Sequence, residues 1–383
     1  MLNLNKPKTL LVCLILILSH IKAQNIPSIG RAKELEIGNW NIEWFGKTAA
    51  GFGPANDSMQ QRLVKTVLQA SDIDIWVLCE VSDTGAYGRL MRQMPEYSGV
   101  LSNYFPEQKT AVIYKKTLFS CVSSQLLGLS NKDSFSTGRY PLKTTLVSQN
   151  FYPFDTIDVI AVHLKSNTGS DSLKNVAYNS RKRSAEWLKA YTYTQRDTRK
   201  YIIAGDWNDD LDVSIYKQLP SSLLALKNES NGGNFITQRF STYLIATTAS
   251  YPDAIDHQFV SGRLYEYYTK DSAFVWRIDQ YIGNYASTCS DHFPVISRYN
   301  SRNYGIASKH YNPFKVYPIP ATDDIKIDGD LLIQSVNLID LSGSIIPLNF
   351  TGESWSLKDI NCGLYYLEIN SQTGSFRQII NKL

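Results

Sequence analysis

A length of 383 residues exceeds one small domain and predicts two globular units plus a processing segment. The formal net charge of +4 falls to about +1 once Lys6, Lys8 and Lys22 leave with an expected N-terminal signal, which excludes a global electrostatic attraction for nucleic acid. None of the five cysteines forms a Cys-x-x-Cys pair, so neither a zinc ribbon nor a redox motif is indicated.

In chain order, the first element is that signal. Lys6 and Lys8 precede the apolar run Leu10–Leu18, and Ala23 follows, so residues 1–23 read as a signal peptide too short for a permanent membrane anchor. The next unit, 33–300, alternates short apolar runs with two helical patterns. Strands are expected at 36–44, 74–80, 110–115, 142–148, 156–163, 200–205, 255–260 and 292–299. One helix is expected after a capping pair of Asp57 and Gln60, with Met59, Leu63, Val64, Val67 and Leu68 on its apolar face. A second fits Ala177 to Tyr193, with Ala185, Leu188 and Tyr191 inward and Arg181, Lys182 and Arg183 near its start. Many strands with few helices predict an α/β sandwich, two packed β-sheets flanked by helices. Residues 301–312 form a polar linker without periodicity. Over 313–383 the runs alternate at period two between Gly, Asn, Asp and Ser turns, predicting a small all-β sandwich.

Three of the apolar runs end in chemistry. Asp74-Ile-Trp-Val-Leu-Cys runs into Glu80, Ile157-Asp-Val-Ile-Ala-Val into His163, and Tyr201-Ile-Ile-Ala-Gly into Asp206 with Asn208 two residues on. Charged groups at the ends of buried strands are costly unless they serve a site. His257 and His292 each follow an aspartate, Asp256 and Asp291, which points to imidazole–carboxylate pairing. Glu80, Asn41, Asp206, Asn208 and Asp291 are hard oxygen donors suited to Mg²⁺, Mn²⁺ or Ca²⁺ rather than zinc. A metal with imidazoles fits hydrolysis of a phosphate ester, and no Gly-x-Ser-x-Gly, His-Glu-x-x-His, P-loop or dinucleotide motif offers a rival chemistry. Cys79 and Cys289 read as buried free thiols, although a bridge between them is compatible with secretion.

Six segments occur in order: Asn39-Trp-Asn-Ile-Glu-Trp-Phe, Leu78-Cys-Glu-Val, Val162-His-Leu-Lys-Ser, Gly205-Asp-Trp-Asn, Ile255-Asp-His and Ser290-Asp-His-Phe-Pro-Val. Together they resemble the endonuclease/exonuclease/phosphatase superfamily, the fold of pancreatic deoxyribonuclease. The resemblance implies a four-layer α/β-sandwich and a divalent metal, Mg²⁺ first. Glu80, Asn41 and Asp291 would serve on the metal side. His292 would be the catalytic base oriented by Asp256, His163 a second histidine, and Asp206 with Asn208 the pair holding phosphate and water. Lys165, Arg181 and Arg183 would meet flanking substrate phosphates. Cys79 departs from the family's usual glutamine and Trp207 from its usual phenylalanine. The implied activity is a secreted phosphodiesterase, a nuclease acting on DNA first, with RNA as a second substrate, as a monomer; a sphingomyelinase-like or small-molecule phosphoesterase is the alternative. Val316-Tyr-Pro-Ile-Pro-Ala-Thr-Asp, Leu338-Ile-Asp-Leu-Ser-Gly and Gly363-Leu-Tyr-Tyr-Leu resemble a type IX secretion sorting domain, with Ile319 in place of the usual asparagine. That resemblance implies the type IX machinery as a partner and a secreted or cell-surface location.

Overall fold

The computed structural model describes residues 26–31, 34–149, 154–195, 198–227, 233–300, 314–329, 331–340, 344–371 and 374–383. The expected signal peptide and the linker lie outside the described residues. The chain divides into two compact units, Met1–Arg302 and Asn303–Leu383.

In the first unit the strands are β1 (Glu34–Phe45), β2 (Ile75–Val81), β3 (Tyr97–Leu101), β4 (Lys109–Lys115), β5 (Phe119–Leu126), β6 (Leu142–Ser148), β7 (Thr156–His163), β8 (Tyr201–Asp206), β9 (Gly233–Phe235), β10 (Asp256–Ser261), β11 (Phe274–Val275) and β12 (Val295–Asn300). They form two six-stranded sheets, ordered β11-β12-β1-β2-β4-β3 and β5-β6-β7-β8-β10-β9. Period-two alternation sorts each central strand into two layers. Ile75 and Val77 of β2 meet Val159, Ala161 and Ile202 of the opposite sheet in the central core. Trp76 and Leu78 face the other way, toward Val64 and Leu68 of helix α1 (Asp57–Ser71). On the far sheet, Ile160 and Ile203 pack with Ala185 and Leu188 of helix α2, whose range is Asp171–Gln195. Each such aliphatic side chain contributes roughly 1.5–3 kcal/mol on full burial. The result is the expected sandwich of two sheets between helices.

Register decides where the site lies. β1–β2 and β7–β8 are parallel pairs, so these four strands release their C-terminal residues in common directions. β10 runs antiparallel to β8 and sets Asp256 directly opposite Asp206. Gly205 makes the last step possible. Its φ is +142°, and a Cβ there would stand 2.0 Å from the Val162 carbonyl oxygen, so β7 and β8 close only around a glycine.

Several boundaries differ from expectation. Asn56, not Asp57, caps α1 by accepting the Met59 amide, while Gln60 turns inward to the carbonyls of Ile42, Glu43 and Cys289. The last strand starts at Val295, because 290–294 are spent in the loop that carries His292. A nine-residue helix over Thr84–Arg92, interrupted by Gly85 and Gly88, was too short to be anticipated, and strands β3 and β5 carried too little apolar periodicity. Cys79 and Cys289 are both buried free thiols.

The second unit packs a three-stranded sheet (Phe314–Tyr317, Asp324–Gly329, Trp355–Ser356) and a four-stranded sheet (Ile345–Pro347, Ile333–Ile339, Gly363–Ser371, Gly374–Lys382) on one core of Ile325, Leu338, Leu357, Leu367 and Ile380.

Candidate active site

The ends of β1, β2, β7 and β8 bring four predicted residues together. Asn41 sits between two carboxylates, its Nδ2 donating to Glu80 Oε1 and to Asp206 Oδ2, each at 3.1 Å. Its own oxygen is engaged by the Glu43 amide at 3.0 Å. Asn41 therefore fixes the carboxylates rather than presenting an oxygen beside them. His163 Nε2 lies 3.6 Å from Glu80 Oε1 and 3.5 Å from Asp206 Oδ2. Burial, then the neighbouring Arg139 cation, holds the His163 pKa well below the usual imidazole range. The ring is neutral, so these separations are not ion pairs. One ligand atom from each of Glu80, His163 and Asp206 falls within 4.8 Å of the others.

This donor set fits a cation. The two carboxylates are hard oxygen donors of the kind Mg²⁺ and Mn²⁺ accept, and the neutral imidazole is a nitrogen donor that Mn²⁺ takes more readily than Mg²⁺. The negative charge is also crowded. Burial pushes Asp206 up to about 7, with Asp256 and Glu80 adding to the rise and His292 opposing it. Glu43 is likewise pushed up to about 7 by burial, Asp291 and Glu80, and its buried Oε2 has no hydrogen-bond partner. A bound cation would relieve that crowding. The backbone is strained in the same place: Glu43, Trp44, Glu80 and Asn208 all have φ between +42° and +65°.

Asp256 and His292 form the second half of the site. His292 Nδ1 and Asp256 Oδ2 are 2.8 Å apart, both residues are buried, and His292 Nε2 is left toward the cleft. Burial lowers the imidazole pKa, but Asp256, by charge and hydrogen bond, then Asp291 and Asp206, raise it well above the ordinary value. His292 is charged at neutral pH. Asp291 is half-exposed at 3.9 Å from His292 Nε2, outside the Glu80–His163–Asp206 group. Asn208 lines the cleft, with its Nδ2 held by the Leu164 carbonyl and its amide by Asp206 Oδ1.

The basic residues are redistributed. Arg181 is fully buried and cannot meet a substrate phosphate: Nη1 donates to the Lys165 carbonyl at 2.8 Å, and Nε stands 3.7 Å from buried Asp209. Asp209 in turn gathers Ser214, Ile215 and Ser222. Arg183 is exposed and reaches only the Asp133 carbonyl, and neither it nor Lys165 lines the cleft. His257 is a core residue, bonded to Thr237 and to the carbonyls of Ala254 and Asp209. Alternation along β10 explains this, because adjacent residues Asp256 and His257 must face opposite ways.

Sequence reasoning missed Arg139. Its Nη1 lies 2.9 and 3.0 Å from the two His163 ring nitrogens and 2.8 Å from Gln108 Oε1. Among the described residues it is the single arginine or lysine lining a cleft of about 280 Å³ whose walls include Glu80, His163, Asp206, Asn208, Asp291 and His292. A second cleft of about 490 Å³ along α2 has, among the described residues, Glu186 as its one carboxylate and no histidine.

Residues 38–292 match the model of the Endonuclease/Exonuclease/phosphatase family, and residues 315–382 that of the Secretion system C-terminal sorting domain. No curated protein matches the chain. Among solved structures, humanized D. rerio TDP2 carrying 14 mutations is similar in fold, with a TM-score of 0.51 and 13% identity over 70% of this chain and 99% of that one. The human Nocturnin catalytic domain with bound sulfate aligns with a TM-score of 0.48 and 17% identity over 69% of this chain and 93% of its own. An endonuclease/exonuclease/phosphatase from Bacteroides vulgatus gives 0.48 and 13% over 69% and 98%.

Proposed function

Because the chain belongs to the endonuclease/exonuclease/phosphatase family, we propose that it is a secreted, divalent-metal-dependent phosphodiesterase whose substrate is nucleic acid, DNA or RNA. The observation that carries this reading is the convergence of Glu80, His163 and Asp206 within 4.8 Å, beside the charged His292–Asp256 pair.

Glu80, Asp206 and neutral His163 would hold Mg²⁺ or Mn²⁺, with Asn41 keeping the two carboxylates in place. When bound, the cation supplies charge neutralisation at the phosphoryl oxygens. Arg139 adds a guanidinium on the cleft wall. The raised His292 pKa favours exchanging the roles expected from sequence, since an imidazole held in its charged form has a proton to give. Asp206 takes a proton from the attacking water, whose oxygen forms the new P–O bond. His292 enters charged and gives its Nε2 proton to the departing oxygen as the old P–O bond breaks. Asp256 positions the ring and stabilises its charge. Delivery outside the cell follows from the C-terminal sorting domain, which supports secretion or surface display through type IX machinery.

The test offers the mature protein plasmid DNA, RNA, sphingomyelin and an aryl phosphodiester in parallel, each with Mg²⁺ or Mn²⁺. Nucleic-acid cleavage that a chelator stops and added metal restores is expected. Hydrolysis of sphingomyelin with nucleic acid untouched would overturn the reading.

A further inference from the structure

Two aromatic residues line the cleft and two exposed phenylalanines stand on loops that adjoin its lining residues. Trp44 lines it, anchored through its amide to Glu80 Oε2 at 3.0 Å. Phe52 stands edge-on against Trp44 at 4.7 Å and is 41% exposed. Phe105 is fully exposed, three residues before Gln108, which lines the cleft and holds Arg139. Lys47 ties these two loops together, lying 5.6 Å from the Phe52 ring and 2.7 Å from Glu107. Tyr251 lines the cleft from a third loop and is 44% exposed, its amide held by Thr248 Oγ1 at 2.9 Å.

Rings kept in water around a site mark a surface that is covered when the site is used. Among the described residues Arg139 is the one arginine or lysine lining the cleft, so flanking phosphates contribute little there. The complementary ligand has flat, apolar faces joined by phosphodiesters. Bases in a duplex hide those faces in the stack, whereas an unpaired strand offers them. We propose, building on the nuclease reading above, that Phe52, Phe105 and Tyr251 are a base-stacking platform that selects unpaired nucleic-acid strands over duplex. Glu107 and Lys47 beside Phe105 and Phe52 argue against burial of these loops in a lipid surface, where both charges would be desolvated.

Steady-state cleavage by the mature full chain with Mn²⁺ tests this. The substrates are a short single-stranded oligonucleotide (DNA and RNA versions), its duplex, and an abasic strand with the same sugar-phosphate backbone. The single strand should be preferred over both duplex and abasic strand. Phe105→Ala and Tyr251→Ala should each raise its KM by about 5- to 100-fold, the range of one lost base stack, with kcat moving far less. Tyr251→Phe and Phe105→Trp should restore KM, a rescue that a folding defect would not show. Equal cleavage of all three substrates, unaltered by the alanine variants, would overturn this inference and leave the nuclease reading standing. Loss of sphingomyelin-vesicle binding in Phe105→Ala with oligonucleotide KM unchanged would also overturn it. Hydrolysis of the aryl diester with no nucleic acid cleaved would remove the nuclease reading and this inference together.

Discussion

His292→Ala should lower kcat on any phosphodiester substrate by roughly 10²- to 10⁴-fold, the range of a positioned proton-transfer group, while the protein stays folded. The imidazole is buried but packed at the cleft wall, so its loss leaves a small polar gap rather than an apolar cavity. Asp256→Asn is the more informative partner. Asp256 is the main group raising the His292 pKa. A residue needed in its charged form gives a rate that falls as pH rises through its pKa. Removing the Asp256 charge lowers that pKa, so the alkaline limb of the pH–rate profile should move to lower pH as the maximal rate falls. An alkaline limb that stays in place while the acid limb moves to lower pH would return His292 to the role of base.

Arg181→Ala is expected to destabilise the fold by roughly 3–5 kcal/mol, the cost of leaving one member of a buried pair without its partner. Asp209 would remain in the core with the Asp210 amide and the hydroxyls and amides of the 214–222 loop around it but no countercharge from Arg181. Denaturant unfolding measures this directly. Replacing Arg181 and Asp209 together by Met and Asn should cost less than the sum of the two single changes, because the stranded charge is gone. Wild-type stability in Arg181→Ala, with KM raised, would mean that the guanidinium does reach substrate.

The strand ends were legible because burial and charge conflict there. Glu80, His163 and Asp206 each end an apolar run, and the register of two parallel pairs brings them to one place. Arg181 was misread because the helix was started at Ala177 rather than Asp171, which put a third-turn residue at an exposed helix start. Its spacing tells otherwise: Arg181 is four residues from both Ala177 and Ala185, on the face that buries. Arg139 had no comparable signal. It sits in a turn-rich segment after Asn131, without periodicity, and meets His163 only through tertiary folding. His257 shows the reverse error, a histidine beside a site aspartate that strand alternation sends into the core.

The central claim is that the Glu80–His163–Asp206 group binds one divalent cation. Titration of the mature protein with Mn²⁺, followed by the loss of the free-ion paramagnetic resonance signal, tests it most directly. The account predicts one site per chain, absent in Glu80→Gln and weakened roughly 10- to 100-fold in Asn41→Ala, which keeps every ligand and loses only the amide that orients them. Undiminished Mn²⁺ binding in Glu80→Gln and Asp206→Asn, or full hydrolysis by metal-free protein, would contradict it.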